Sequence, residues 1–378
     1  MYSEIISTMK KALIVILLFV LVGGYFFAGY SVYSQAALVE CAVPEVDQNN
    51  KPDNFSLSDK NVLWDPSEYF VNDYDIVSIE IPDENITLDS WWMDAQNNNG
   101  PTVLVLHGLG SSKHSPDMLL AAGMLNKNGF NVLAVDFRDH GDSTCEDGFH
   151  SAGQKESDDV VATLNWIINE KGISPNNIGI YGSSLGALVG LLTPAKSNNF
   201  SALAVLDAPF DFETLVREEL IYQGFPELLW TPLYHYVLIF EGVDLLANNP
   251  EDSLKSSNKQ PILIFNGMDN DRVLSHHTDD LIKSANEIGI ELEITPQINE
   301  GASVILNIKQ GVSGIAGVAQ SGLDVITNKR EIETTVLVDN NQIIVLGGLI
   351  DEDVQEVVSK VPVLGSIPLL GKLFQSSS

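Results

Sequence analysis

Gly182, Ser183, Ser184, Leu185 and Gly186 satisfy the spacing G-x-S-x-G, between a short apolar run at 177–181 and a small-residue helix start. That spacing suits nucleophilic chemistry. A tight strand-to-helix turn lifts the central hydroxyl out of a sheet and sets it at a helix N-terminus, beside the backbone N–H of the next residue. A Cβ at 182 or 186 would collide with the adjoining strand or helix, so the two glycines are steric requirements. The reaction served is acyl transfer, in which a serine oxygen attacks a carbonyl and backbone donors bind the developing oxyanion. A Gly/Ser-rich turn without chemistry has the same local pattern, and the rest of the chain must decide.

The elements that would position Ser184 are legible on either side of it. Residues 75–81 and 86–92 alternate apolar and polar as a hairpin does. Residues 102–106, 131–135, 202–206 and 262–265 are continuous apolar runs, as strands buried on both faces are. The first leads into His107-Gly108-Leu109-Gly110, and the second into Asp136-Phe137-Arg138-Asp139-His140-Gly141-Asp142-Ser143. Val160, Val161, Leu164, Ile167 and Ile168 keep helical spacing, and a further helix is expected over 275–288. A hairpin followed by alternating strand and helix predicts an α/β protein with a mostly parallel sheet and ligands at the carboxyl strand ends.

Residues 12–33 carry no charge and are long enough to cross a bilayer. Lys10 and Lys11 precede them, which predicts a cytoplasmic tail (1–11), a signal anchor in preference to a cleaved signal peptide, and the main domain in the periplasm. A polar linker is expected over 34–73. Cys41 and Cys145 fit either a disulfide or two free thiols. The 378 residues include 51 Asp and Glu against 20 Lys and Arg, a net charge of −31. Such a surface repels nucleic acid and is read as solubility, so no nucleic-acid partner is expected.

The motifs at 107–110, 136–143 and 182–186, in that order, resemble those of an α/β-hydrolase of the membrane-anchored serine aminopeptidase/esterase-like group, over about 75–290. The resemblance implies a hydrolase domain at 74–292 with a cap at 210–250, and a small ester or amide as acyl substrate. It implies no cofactor and no metal. Ser184 would be the nucleophile, the Leu109 and Leu185 amides the oxyanion donors, and Gly108, Gly110, Gly182 and Gly186 the motif glycines. His107 and His140 would pack loops. The acid should follow the 262–265 strand, but the matching position holds Asn270; Asp271 is preferred in its place, with Asp269 as the alternative. The base should come after the acid on a later loop, and no histidine follows His277. His276 and His277 come too early, at the start of a helix. The domain is therefore expected to lack its C-terminal end and its base, and to turn over poorly.

From about residue 293 the chain resembles a different family. An alternating strand at 303–308, a hairpin at 332–338 and 343–350, and a closing V-P-x-L-G-x-I-P-x-L-G-x-L-F run at 361–374 are similar to the C-terminal half of the secretin pore domain of type II secretion and type IV pilus systems. That resemblance implies an outer-membrane homo-oligomer in which subunits share a barrel. A single-pass inner-membrane location is the first expectation, and the outer membrane is the alternative. The switch falls near 290–294 and fits either a genuine fusion or a joining of two genes.

Overall fold

A computed structural model describes residues 2–57, 65–81, 83–95, 100–267, 270, 272–290, 292–298, 303–318, 325–339, 358–360 and 375–377. The main sheet has seven strands: β1 (Asp75–Ile81), β2 (Ile86–Met93), β3 (Thr102–Leu106), β4 (Asn131–Val135), β5 (Ile178–Ser183), β6 (Ala202–Leu206) and β7 (Ile262–Phe265). Their spatial order is β1-β2-β4-β3-β5-β6-β7. The β1/β2 hairpin is antiparallel and joins antiparallel to β4, while β4, β3, β5, β6 and β7 run parallel. The expected α/β architecture is present.

The apolar runs became central strands because both faces of the sheet are covered. Leu104, Leu106, Leu133 and Val135 enter one core, while Val105, Val132 and Ala134, alternating with them, enter the other. Helices α3 (Glu156–Glu170) and α4 (Leu185–Leu192) supply Leu164, Ile167, Leu188 and Leu191 to the first. Helix α2 (Pro116–Lys127) supplies Met118, Leu119 and Ala122 to the second. From β3 the chain crosses to β4 on one side, and β5 lies on the other, so the carboxyl ends of β3 and β5 flank a topological switch point.

Helix α1 (Tyr2–Ala36) contains an apolar stretch, Ile5–Ala36, long enough to cross a membrane. Its last turns rest on the excursion between β6 and β7. That excursion holds α5 (Phe212–Tyr222), α6 (Trp230–Tyr236), a wider turn of helix at Val237–Glu241, and α7 (Pro250–Lys255). Beyond α1 the chain is fastened to the domain. Val39 N–H donates to the Gly148 carbonyl at 2.9 Å, His150 N–H donates to Ala37 at 3.0 Å, and Cys41 is disulfide-bonded to Cys145. The choice between bridge and free thiols is thus settled for the bridge. Phe55 and Leu57 are buried against the α2 face, so this part of the stretch read as a linker is held to the core.

After β7 come α8 (Ser275–Glu287) and β8 (Leu292–Ile298). β8 runs beside β7 but is not hydrogen-bonded into the main sheet. It pairs antiparallel with β9 (Ser303–Val318), from Leu292 opposite Gln310 to Ile298 opposite Val304, and β10 (Val325–Asp339) completes that three-stranded sheet. Among the described residues the hydrogen-bonded partner of β8 is the long β9. The first arm of the hairpin at 332–338 falls within β10, whereas 343–350 and 361–374 lie outside the described residues. A second compact unit, Val338–Ser378, contains the antiparallel pair β11 (Val358–Lys360) and β12 (Gln375–Ser377).

Candidate active site

Ser184 stands between the end of β5 and the first residue of α4 with φ 53° and ψ −113°, a conformation side chains rarely adopt. The turn persists because backbone closes in from both sides. A Cβ on Gly182 would meet the Gly186 carbonyl and the Ala187 amide; one on Gly186 would meet the carbonyls of Leu106 and His107. The elbow thus locks against the end of β3 through glycine. Ser184 N–H donates to the Leu206 carbonyl at 2.9 Å, and the Ser184 carbonyl accepts from Leu188, the first bond of α4.

Gly108 follows β3 directly, and a Cβ built on it would stand 3.5 Å from the Ser184 Cβ. Gly110 takes φ 64°, turning the loop over the elbow. Leu109 lies in this loop, and no described residue accepts a hydrogen bond from its amide. Leu185 opens α4, so its N–H has no helical acceptor. Among the described residues neither the Leu109 nor the Leu185 amide has a hydrogen-bond acceptor.

Among the described residues, no histidine is hydrogen-bonded to Ser184. His107 is buried; its Nε2 accepts from Phe137 N–H at 3.1 Å, so Nδ1 donates to the Gly108 carbonyl at 2.8 Å. Burial pushes its pKa down to about 4, and the neighbouring His140 adds to the shift. His140 donates from Nδ1 to the Arg138 carbonyl at 2.9 Å, and its buried Nε2 has no partner among the described residues. His114 binds Asp142, His150 bonds the backbone at Ala36 and Ala152, and His235 meets the Tyr25 hydroxyl. His276 Nε2 lies 2.6 Å from Glu218. His277 Nδ1 accepts from the amides of Phe210 and Asp211 at 3.3 and 3.4 Å, which leaves Nε2–H to donate to Glu218 at 3.3 Å. Burial, then His276, lowers the His277 pKa.

Asn270, at the expected position of the acid, braces its own loop: Oδ1 accepts from the amides of Arg272 and Val273 at 2.9 and 3.0 Å. Asp271 and Asp269 lie outside the described residues. A carboxylate that the sequence reading passed over is Asp207, which follows β6. Its φ is 51°, its amide donates to the Phe265 carbonyl, and its Oδ1 accepts from Gly267 N–H at 2.7 Å. Since Ser183 is in register with Leu206, Asp207 is one step beyond the strand beside the elbow. The signal was available in Leu206-Asp207-Ala208-Pro209, an acid at the carboxyl end of a central strand.

The block at 136–143 follows β4, on the other side of β3 from the elbow. Asp136, fully buried, accepts from the Lys113 and Asp142 amides, and Lys113 Nζ reaches Asp136, Asp142 and Asp89 at 2.6, 2.8 and 3.0 Å. Burial opposes the Lys113 charge, but these carboxylates outweigh it and hold the pKa above its ordinary value. Arg138 makes a paired contact with the equally buried Asp159. Lys113 also occupies the place that a cation would take among His114, Asp136 and Asp142. The Cys41–Asp139–Cys145 group is closed by the disulfide, and the proton on His277 Nε2 faces Glu218 in the third group, so none presents a ready set of metal ligands among the described residues.

Comparison with known proteins also divides the chain in two. Residues 97–225 match the family described as Serine aminopeptidase, S33, and residues 245–378 match the family described as Bacterial type II and III secretion system protein. The chain joins an α/β-hydrolase-like domain to a secretin segment. Secretin GspD of Vibrio cholerae is 56% identical over 92 residues, 24% of this chain and 14% of that protein. Secretin XcpQ of Pseudomonas aeruginosa is 50% identical over 93 residues, again 24% and 14%. The chain thus spans a small fraction of the curated secretins that it matches. Esterase Pf2001 of Pyrococcus furiosus is 27% identical, covering 60% of this chain and 83% of that one, with a TM-score of 0.46. The secretin match begins at residue 245, ahead of the switch near 293 read from the motifs.

Proposed function

We propose that the chain is a membrane-anchored serine hydrolase-like protein that presents Ser184 to small acyl substrates and acylates slowly, without efficient turnover. The observation that carries this reading is the Ser184 elbow, strained at φ 53° beside the Leu109 and Leu185 amides, while every histidine bonds elsewhere. Without a base to take the hydroxyl proton, attack and deacylation both slow; in a known serine protease, removing the histidine costs on the order of a millionfold in turnover. Asp271, or Asp269 in its place, remains the acid of this reading. A fluorophosphonate probe should label the chain slowly and at Ser184. Equal labelling of Ser184→Ala would remove Ser184 from the role.

The anchor is α1, with the domain in the periplasm. Lys10 and Lys11 set this orientation, and the Cys41–Cys145 bridge supports an oxidising compartment. Alkaline phosphatase fused after Asn50 should be active; an inactive fusion would reverse the topology.

The secretin likeness favours a second reading, a component of a type II secretion or pilus pore in the outer membrane. SDS-resistant ring multimers in outer-membrane fractions would support it, and a monomer confined to the inner membrane would exclude it.

A further inference from the structure

Beyond α1, exposed apolar side chains such as Val46 and Ile76 are scattered over the domain, but on the cap they cluster. Ile221, Tyr222, Phe225, Leu228, Ile239 and Phe240 are between 44% and 66% exposed. They adjoin α1. Phe240 meets Phe26 with ring centroids 5.2 Å apart, Tyr236 meets Tyr30 at 5.6 Å, and the Tyr25 hydroxyl bonds His235 at 2.6 Å. The turn at Glu227–Leu229 also lies against α1. The contact is close enough that a Cβ on Gly29 would strike the Pro232 carbonyl.

Helix length decides what this means. From Ala12, the first residue after the two lysines, to Gly24, the last before the cap contacts begin, there are 13 residues. At 1.5 Å each they span only about 20 Å, against a hydrocarbon core of roughly 30 Å. Snorkelling by Lys10 and Lys11 adds about one turn and still leaves the span short. The run reaches bilayer thickness only if residues 25–31 are also inside, and those residues carry the cap. Resting on the reading of α1 as an anchor, we propose that the apolar edge of the cap, Ile221 to Leu228 with Ile239 and Phe240, is embedded in the outer leaflet of the same membrane.

The physical terms agree. An exposed apolar area of this kind marks an interaction surface, and tyrosines such as Tyr30 and Tyr236 suit the depth where apolar body and polar tip part company. The net charge of −31 removes attraction to anionic headgroups, so insertion is driven by apolar burial and should be as strong in zwitterionic lipid.

The test uses the full chain, disulfide intact, in phosphatidylcholine vesicles. Ile239→Cys and Leu228→Cys carry an environment-sensitive fluorophore. Asn258→Cys, before β7 at the amino edge of the sheet and away from the cap, is the control. Lipids with a nitroxide on the acyl chain should quench the labels at 239 and 228 at least threefold more than the label at 258. Co-flotation of the chain with equal quenching at all three sites would overturn the embedding while leaving the anchor standing. Labels at 239 and 228 shielded from both nitroxide lipid and aqueous iodide would mean that a second copy covers the cap, which also overturns it. Failure to float would overturn anchor and embedding together.

Discussion

His277 Nε2 lies 3.3 Å from a carboxylate oxygen of Glu218, and the amides of Phe210 and Asp211 point at its other nitrogen. The last histidine in the chain is therefore a tie between α8 and the cap helix α5. Replacing it with Gln should loosen the cap and lower the Tm by a few degrees, yet leave fluorophosphonate labelling of Ser184 within about twofold, since a hydrogen-bonding network of this kind contributes on the order of 1–2 kcal/mol. A loss of labelling beyond tenfold with the fold intact would give His277 a chemical role.

The Cys41–Cys145 bridge closes a stretch of 104 residues and ties the exit of α1 to the 136–150 loop. By chain entropy a loop of that length is stabilised by about 4–5 kcal/mol. Cys41→Ser should lower the denaturant midpoint accordingly, and a reductant should shift the wild type but not the variant. An unchanged midpoint would show the bridge to be absent from the folded protein.

Burial holds His107 down to about 4, against about 6.5 for an exposed imidazole. Between these values the unfolded chain binds a proton that the folded chain refuses, so stability is lost as the pH falls through that window. Across it the loss is roughly 3 kcal/mol. Urea unfolding at pH 7.5 and pH 4.5 should show the drop, and His107→Gln should flatten it while being less stable at the upper pH. A variant with the same pH slope as wild type would assign the acid limb to other groups.

Gly186→Ala places a methyl group against the carbonyls of Leu106 and His107, where only backbone could move aside. Overpacking of this kind costs about 3 kcal/mol or more. The variant should fail to accumulate as folded protein, whereas Ala187→Gly should cost only about 1 kcal/mol in helix propensity. The yield of folded Gly186→Ala and thermal unfolding of Ala187→Gly in detergent check the contrast.

The parallel sheet was readable because covered strands leave apolar runs: β3 and β4 are buried at nearly every residue, and β6 and β7, buried at alternate residues and partly buried between, are apolar throughout. The elbow was readable because its glycines answer to sterics within a few residues. The Cys41–Cys145 pairing was not, since two cysteines 104 residues apart become neighbours only after β2, β4 and the 136–150 loop have assembled. Asp207 was not legible as a neighbour of the elbow, because only the Ser183–Leu206 register, a contact between separate strands, brings it there. β9 extends to Val318, well past the alternation at 303–308, because Gly311, Gly314 and Gly317 interrupt the pattern without ending the strand.

The most direct measurement is steady-state hydrolysis of a short p-nitrophenyl ester by the purified full chain beside its Ser184→Ala variant. The account predicts no turnover above that of Ser184→Ala, because no imidazole stands within the ~3 Å needed to take the Ser184 proton. Sustained turnover in the wild type that disappears in Ser184→Ala would contradict it.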